Sequence, residues 1–213
     1  IENHSHVKGE VTIVTTGEGA CSQGEFWEAV NAACLMKLPT IFIIEDNSYA
    51  ISVPASEQIP GMDVAENLSA MTNLSVDEVD GLDPIKSYEA ISRAVERARK
   101  REGPSLIRAT VIRPYSHSGT DDATRYRLEA EILEEIRRDP VVTDADAYPL
   151  PRETREKIKR LGIEYGVFAN QLMLDAVVSK EDLLAIREKI KLEIAAAEEE
   201  AKRAPLVDPG GVF

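Results

Sequence analysis

The sequence predicts an α/β fold, a doubly wound and mostly parallel sheet followed by a helical C-terminal segment. Short β-branched runs alternate with segments whose apolar residues recur at helical spacing, the order of a chain that covers both faces of a parallel sheet. Glycine and proline punctuate the boundaries, at Gly17 and Gly19, Pro39, Gly81, Pro84, Gly103 and Pro104. Beyond residue 178 a single long amphipathic run carries its own start signal, Ser179 followed three residues later by Asp182.

Residues 11–16, Val-Thr-Ile-Val-Thr-Thr, read as a buried strand, because the run is apolar and β-branched. It stops at Gly17-Glu18-Gly19, where two residues without side chains let backbone N–H groups reach an anion and Glu18 presents a carboxylate. A helix over 22–38 follows, with Ser22 as N-cap, Glu25 three residues on, and Phe26, Ala29, Val30, Ala33 and Leu35 in its apolar pattern. Pro39 ends it, 40–44 is a second buried strand, and Asn47 follows, where a parallel strand's carboxyl end sets it beside Glu18. A carboxylate and an amide oxygen then converge on one hard cation.

The next elements are a helix over 64–72, a strand over 75–79 and a turn at 81–84. A helix over 85–100 has Ile91, Ala94, Val95 and Ala98 on one face, and a strand over 106–112 follows it. The run 113–127 is a polar loop holding His117 among Ser116, Ser118, Gly119, Thr120, Asp121 and Asp122. An imidazole there can donate to a phosphate oxygen or deliver a proton near neutral pH. The loop has few apolar anchors, so a mobile lid that orders with a bound anion is expected, its aspartates paired with Arg125 or Arg127.

The stretch 17–31, opening Gly17-Glu18-Gly19-Ala20, together with 45–52, closing on Asn47-Ser48-Tyr49-Ala50-Ile51-Ser52, resembles the thiamine diphosphate motif of 2-oxo acid dehydrogenase alpha subunits. The loop from Arg113 to Arg127 is similar to that family's His-Ser loop, in family order. The resemblance implies the thiamine diphosphate-binding fold, magnesium held by Glu18, Asn47 and the Tyr49 carbonyl, and cofactor contacts from Gly17, Glu18, Gly19, Ala20, Asn47, Tyr49, Ala50, Ile51 and His117. His117 takes the catalytic role, in transfer to the lipoyl group, and Ser118 falls where animal relatives are phosphorylated. The family's usual opening is Gly-Asp-Gly and its close Asn-Asn, so Glu18 and Asp46 depart from it. A glutamate at the first place also occurs in the branched-chain branch, which inclines the reading there. Implied with it are oxidative decarboxylation of a branched-chain 2-oxo acid, or of pyruvate or acetoin in the neighbouring branches, a beta subunit or domain carrying the activating glutamate, and a lipoyl acyltransferase core. The likeness implies an oligomer, cytoplasmic if bacterial and in the mitochondrial matrix if eukaryotic.

The likeness runs from about residue 11 to 138, so the expected division is a partial diphosphate-binding domain, 1–138, and a helical extension and tail, 139–213. Residues 141–176, with Pro140, Pro149 and Pro151 about them, depart from the family pattern. The helix from Ser179 to about residue 202 should turn Leu183, Ile186, Ile190, Ile194 and Ala197 inward, leaving Glu198 to Glu200 solvated, and 205–213 resembles the family's extended tail. The 213 residues, 43% hydrophobic and 30% charged, suffice for a core, and the net charge of −13 argues against nucleic acid. No apolar run has spanning length, so no membrane partner is expected. The chain opens on Ile1 rather than Met, so a fragment or a processed chain is expected. Because the resemblance places the activating glutamate on a beta part that this sequence lacks, it implies one portion of a larger assembly, a separate chain with partners or a piece of a fused polypeptide, inactive alone. Cys21 and Cys34 read as reduced thiols, Cys21 as a packed residue rather than a redox switch, Phe26 and Trp27 as packing, and His4 and His6 as solvated. Ser22 at the third glycine position argues against a dinucleotide fold, and no Gly-Lys-Ser/Thr follows the turn. The non-enzyme alternative is an assembly fragment that has lost its cofactor, with Glu18 and Asp46 as the marks of that loss.

Overall fold

The computed structural model describes residues 9–139, 152–160 and 166–205. His4, His6, Pro140, Pro149, Pro151 and the tail from residue 206 lie outside the described residues. The chain divides into two compact units, Ile1–Val167 and Phe168–Phe213.

The first unit is built on four parallel strands, β1 (Thr12–Gly17), β2 (Thr40–Asp46), β5 (Ser75–Asp80) and β6 (Ser105–Thr110), in the order β1-β2-β6-β5. Tyr49–Ala50 (β3) and Val53–Pro54 (β4) make a small antiparallel ladder just past β2. Helices lie on both faces. On one, Val30, Ala33 and Cys34 of α1 (Gly24–Met36) and Val64, Ala65 and Leu68 of α2 (Val64–Leu68) pack on Phe42, Ile44 and Leu106. On the other, Ala90, Ala94 and Ala98 of α3 (Pro84–Arg99) pack on Ile41 and Ile107, with Ile91 and Val95 partly buried beside them. Alanines every fourth residue let α3 approach the sheet closely, so the parallel, doubly wound arrangement expected from the alternation is present.

Several expectations for this unit need correction. β1 is not buried: it is the sheet's edge, and Ile13 and Val14 are 50% and 41% exposed. Register explains this, because Ile13 lies beside Ile41 on the α3 face and Val14 beside Phe42 on the α1 face, and β1, as the outer strand of the sheet, has a strand neighbour on one side only. Ser22 is not an N-cap. Glu18–Ser22 coils first as a 3-10 turn, Gln23 precedes α1 without a side-chain cap, and Ser22 Oγ donates to the Gln58 carbonyl instead. α1 then ends at Lys37 in the left-handed region, φ 49°, before Pro39. α2 covers only five residues, with Asp63 accepting from the Ala65 and Glu66 amides as its cap. β6 stops at Thr110, two residues short of the expected end, although Val111 N–H still donates to the Asp46 carbonyl at 2.8 Å. Helix α4 (Glu129–Arg138) follows the His117 loop, and α5 is Arg152–Arg160.

The second unit contains α7 (Lys180–Arg203) and all but the first residue of α6 (Val167–Leu174). Ser179 and Asp182 form the expected capping box, and Glu198, Glu199 and Glu200 are exposed, with Lys202 pairing Glu198 at 2.7 Å. The inward stripe does not form. Ile186, Ile190 and Ile194 are about half exposed or more, and α7 buries none of its residues. Amphipathic spacing sets which residues share a face, but a face is buried only where something packs on it.

Candidate functional site

The site assembles where β1 and β2 end. Gly17 stands opposite Glu45 in the parallel register, so the turns leaving the two strands start side by side at the sheet's carboxyl edge. Glu18, 1% exposed, turns its carboxylate inward. Oε2 accepts from the Asn47 N–H at 3.2 Å, whereas Oε1 is buried with no hydrogen-bond partner. An orphaned buried acceptor costs on the order of 1–3 kcal/mol, which a bound cation or donor would offset. Burial pushes the Glu18 carboxyl up and the nearby Asp46 charge adds to this, while the N–H groups of Glu18, Asn47 and Tyr49 pull it back. Asn47 Oδ1 accepts from the Tyr49 N–H at 3.2 Å, which leaves its second lone pair for another partner.

The glycine turn closes tightly on the second strand end. A Cβ built on Gly19 would stand 2.5 Å from the Ala50 Cβ and 3.1 Å from its Cα. Gly19, Ala50, Glu18, Asn47 and Tyr49 are therefore brought together, with Gly17 and Ala20 flanking the turn and Ile51 at its far side. Cys21 is buried beneath it, its Sγ 3.6 Å from the Gly17 carbonyl. Burial, with the Glu18 and Asp46 charges adding, holds this thiol up at about 12, so it packs and does not ionise. Cys34 is likewise free and buried. Phe26 packs on the core with Trp27 edge-on to it, and Trp27 Nε1 donates to the Cys21 carbonyl at 2.9 Å, so both are packing residues of the turn.

A second constellation ties the His117 loop to the same turn. Arg113 Nη1 donates to the Ile51 carbonyl at 2.7 Å and Nη2 to the Tyr126 hydroxyl at 2.8 Å, with its guanidinium over both the Tyr49 and Tyr126 rings. Tyr126 donates on to Asp121 Oδ2 at 2.6 Å, and the same oxygen takes the His117 N–H at 2.8 Å. Hydrogen bonds from Tyr126 first, and then from His117 N–H, hold the Asp121 carboxyl below its usual range. The expected aspartate–arginine pairing is thus half met. Asp122 pairs with Arg125 at 3.5 Å, but Asp121 goes to Tyr126, and Arg127 turns away to Glu131 and Glu135 at 3.1 and 2.7 Å. Two carboxylates offered from one face of α4 outcompete a single one in the loop. The His117 side chain is exposed, and the loop is pinned through backbone groups rather than through its imidazole.

Arg108 is the residue that sequence reasoning missed. It sits in the apolar strand β6, where an arginine is out of place, and that misfit was the available signal. Its Nε donates to Asp46 Oδ2 at 2.7 Å and its Nη1 to Asp63 and Glu78 at 2.9 and 2.8 Å. Asp46, the departure from the family's asparagine, is buried and also accepts from the Ser48 N–H at 2.9 Å. A cavity of about 440 Å³ opens nearby, lined by Tyr49, Met62, the α4 carboxylates Glu131, Glu134 and Glu135, and Arg138.

The donor set fits a small hard cation. Among the described residues no three His, Cys, Asp or Glu side chains gather as a metal cage. A cation beside Glu18 would instead rest on one carboxylate, an amide oxygen, a backbone carbonyl and ligand oxygens, a set that suits magnesium on a phosphate group. The fold and this edge define an α/β protein with a glycine turn, an orphaned carboxylate and an amide converging at the ends of parallel strands. Residues 3–148 match the family described as dehydrogenase E1 component, and the chain belongs to that family.

The chain is 40% identical over 136 residues to 2-oxoisovalerate dehydrogenase subunit alpha of Bacillus subtilis (strain 168), covering 64% of this chain and 41% of that protein. It is 41% identical over 137 residues to pyruvate dehydrogenase E1 component subunit alpha of Staphylococcus aureus (strain Mu50 / ATCC 700699), covering 63% of this chain and 36% of that one. The matched part is thus about two-fifths of the length of these curated relatives. Transketolase from Campylobacter jejuni subsp. jejuni NCTC 11168 superposes with a TM-score of 0.41 at 20% identity, covering 96% of this chain and 30% of that one, a likeness too distant to inform function.

Proposed function

We propose that this chain is the alpha-type part of a thiamine diphosphate-dependent 2-oxo acid dehydrogenase acting on a branched-chain 2-oxo acid, and that it holds the magnesium ion and the cofactor's diphosphate. The buried Glu18 carboxylate, with one oxygen unpartnered beside Asn47, carries this reading. Glu18, Asn47 and the Tyr49 carbonyl hold the metal, and the backbone of Gly17, Gly19 and Ala20 approaches the diphosphate where side chains are smallest. Ala50 and Ile51 line the other side of the turn. Bound thiamine diphosphate supplies the electron sink for decarboxylation. His117 donates to the diphosphate or to the thiolate formed on lipoyl transfer; the Arg113–Tyr126–Asp121 chain, which ties its loop to the Ile51 carbonyl, supports this reading. The chain acts with a beta-type subunit or domain and a lipoyl acyltransferase core, and alone it turns over no 2-oxo acid.

Pyruvate is the second reading for the substrate, because the pyruvate dehydrogenase relatives match at the same level, 41% against 40%. Calorimetry of thiamine diphosphate binding, with and without magnesium, on the chain assembled with its beta partner tests the reading. Asn47→Ala should abolish the magnesium-dependent affinity and leave the circular dichroism spectrum intact; unchanged affinity refutes the assignment. A wild-type assembly that binds no cofactor favours the non-catalytic assembly reading.

A further inference from the structure

Asp46 lies one residue before a proposed metal ligand, is buried, and carries a charge that an asparagine there would not. A buried carboxylate in that place needs a partner, and Arg108 meets it from the neighbouring strand. The register makes the meeting possible. Ile44 stands opposite Arg108 and Asp46 opposite Thr110 in the parallel pair, so Arg108 is one same-face step back along β6 and its long side chain leans forward to the strand end. The guanidinium's Nε goes to Asp46 Oδ2 and Nη1 to Asp63 and Glu78, so one cation ties the end of β2, the cap of α2 and the rim of β5 together.

The other oxygen of Asp46 faces the site. Oδ1 accepts the Ser48 N–H at 2.9 Å, in a turn where Ser48 takes φ 67°, a conformation a serine adopts only when its surroundings hold it. The Ser48 carbonyl accepts from Ala55 N–H at 2.9 Å, and between Asp46 and Ser48 the Asn47 N–H is aimed at Glu18 Oε2. We propose that Arg108 and Asp46 form a charge-compensated positioning pair that fixes the 46–49 turn, so that Asn47 stays converged on Glu18. On this reading Asp46 is not the mark of a lost site. The pair supplies, as an ion pair, the anchoring that a neutral amide gives where the first residue of the motif is asparagine. The inference rests on the proposed function only in what the convergence is for.

Amide exchange in the chain itself separates the two. Arg108→Met leaves Asp46 buried without its cation, and the Ser48 and Asn47 amides should exchange at least about tenfold faster while the Leu106 amide in the core stays protected. Arg108→Met combined with Asp46→Asn removes the stranded charge and keeps an oxygen for Ser48 N–H, so protection should return to within about threefold of wild type. A structural role confined to packing of the Arg108 stem would leave the double variant as exposed as the single, and that result overturns the proposal, as does a single variant indistinguishable from wild type. If Arg108→Met does not fold, the double variant must fold with wild-type protection at Ser48 and Asn47, and its failure to do so overturns the proposal equally. Magnesium-dependent thiamine diphosphate affinity, measured by calorimetry in the assembly with the beta partner, should follow the same order. Exchange that follows the order in an assembly that binds no cofactor upholds the pair and removes the functional reading alone.

Discussion

Gly19→Ala is the sharpest probe of how the two strand-end turns meet. The added methyl would lie 2.5 Å from the Ala50 Cβ, about 1.0–1.5 Å inside the separation of about 3.5–4.0 Å at which carbon atoms rest. One turn must move. The Glu18–Ser22 side is anchored by the buried Glu18 and Cys21, and the Ala50 side by the Arg113 bond to the Ile51 carbonyl and the Ser48 bond to Ala55. Neither side yields freely, so the cost falls in the overpacking range of about 1–3 kcal/mol. For a chain of this size that lowers Tm by roughly 2–12 °C, at about 2–4 °C per kcal/mol. Thermal unfolding followed by circular dichroism reads it, and Ala50→Gly in the same background should recover part of the loss by removing the struck methyl. A Gly19→Ala protein with unchanged Tm would refute the close approach, and with it the compact turn on which the site depends.

Glu18→Gln should abolish magnesium-dependent cofactor binding yet stabilise the apo chain. The folded carboxyl is raised above its unfolded value, so ionising it costs stability as pH rises through that window; the variant's advantage in urea midpoint should be absent at low pH and full above the window. Arg127→Met, removing a guanidinium buried between Glu131 and Glu135, should cost on the order of 3–5 kcal/mol in urea unfolding. Adding Glu135→Gln should recover part of it, and a double variant no better than the single counts against the pair. Cys21, held near 12, and Cys34, raised by burial, should resist a thiol-specific disulfide reagent at pH 8 in the folded chain and react promptly in denaturant; fast reaction when folded contradicts their burial. Asp121 is held below its usual range, so its contribution to the loop is present above that range and lost as pH falls through the lowered value. Proteolysis between residues 116 and 125 should therefore quicken on acidification in wild type, tested with an acid-active protease, and less so in Asp121→Asn.

Much of the fold follows from the order of residues alone. Alternating β-branched and helix-periodic runs determined a parallel sheet covered on two faces, since each pattern buries in only one way, and Ser179 with Asp182 determined where α7 begins because a capping box is local chemistry. The approach of Glu18 to Asn47 was legible too, because consecutive parallel strands end at the same edge. What the tertiary structure decided are matters of neighbours. The runs in β1 and α7 carry apolar residues at the expected spacing, but β1 lies at an edge and α7 buries none of its residues, so Ile13, Val14, Ile186 and Ile190 stay exposed. Competition for charge is equally invisible in one dimension. Arg127 leaves the loop for two carboxylates on α4, and Arg108 reaches Asp46 from 62 residues away, where only the pairing of β6 with β2 brings a cation to that buried acid.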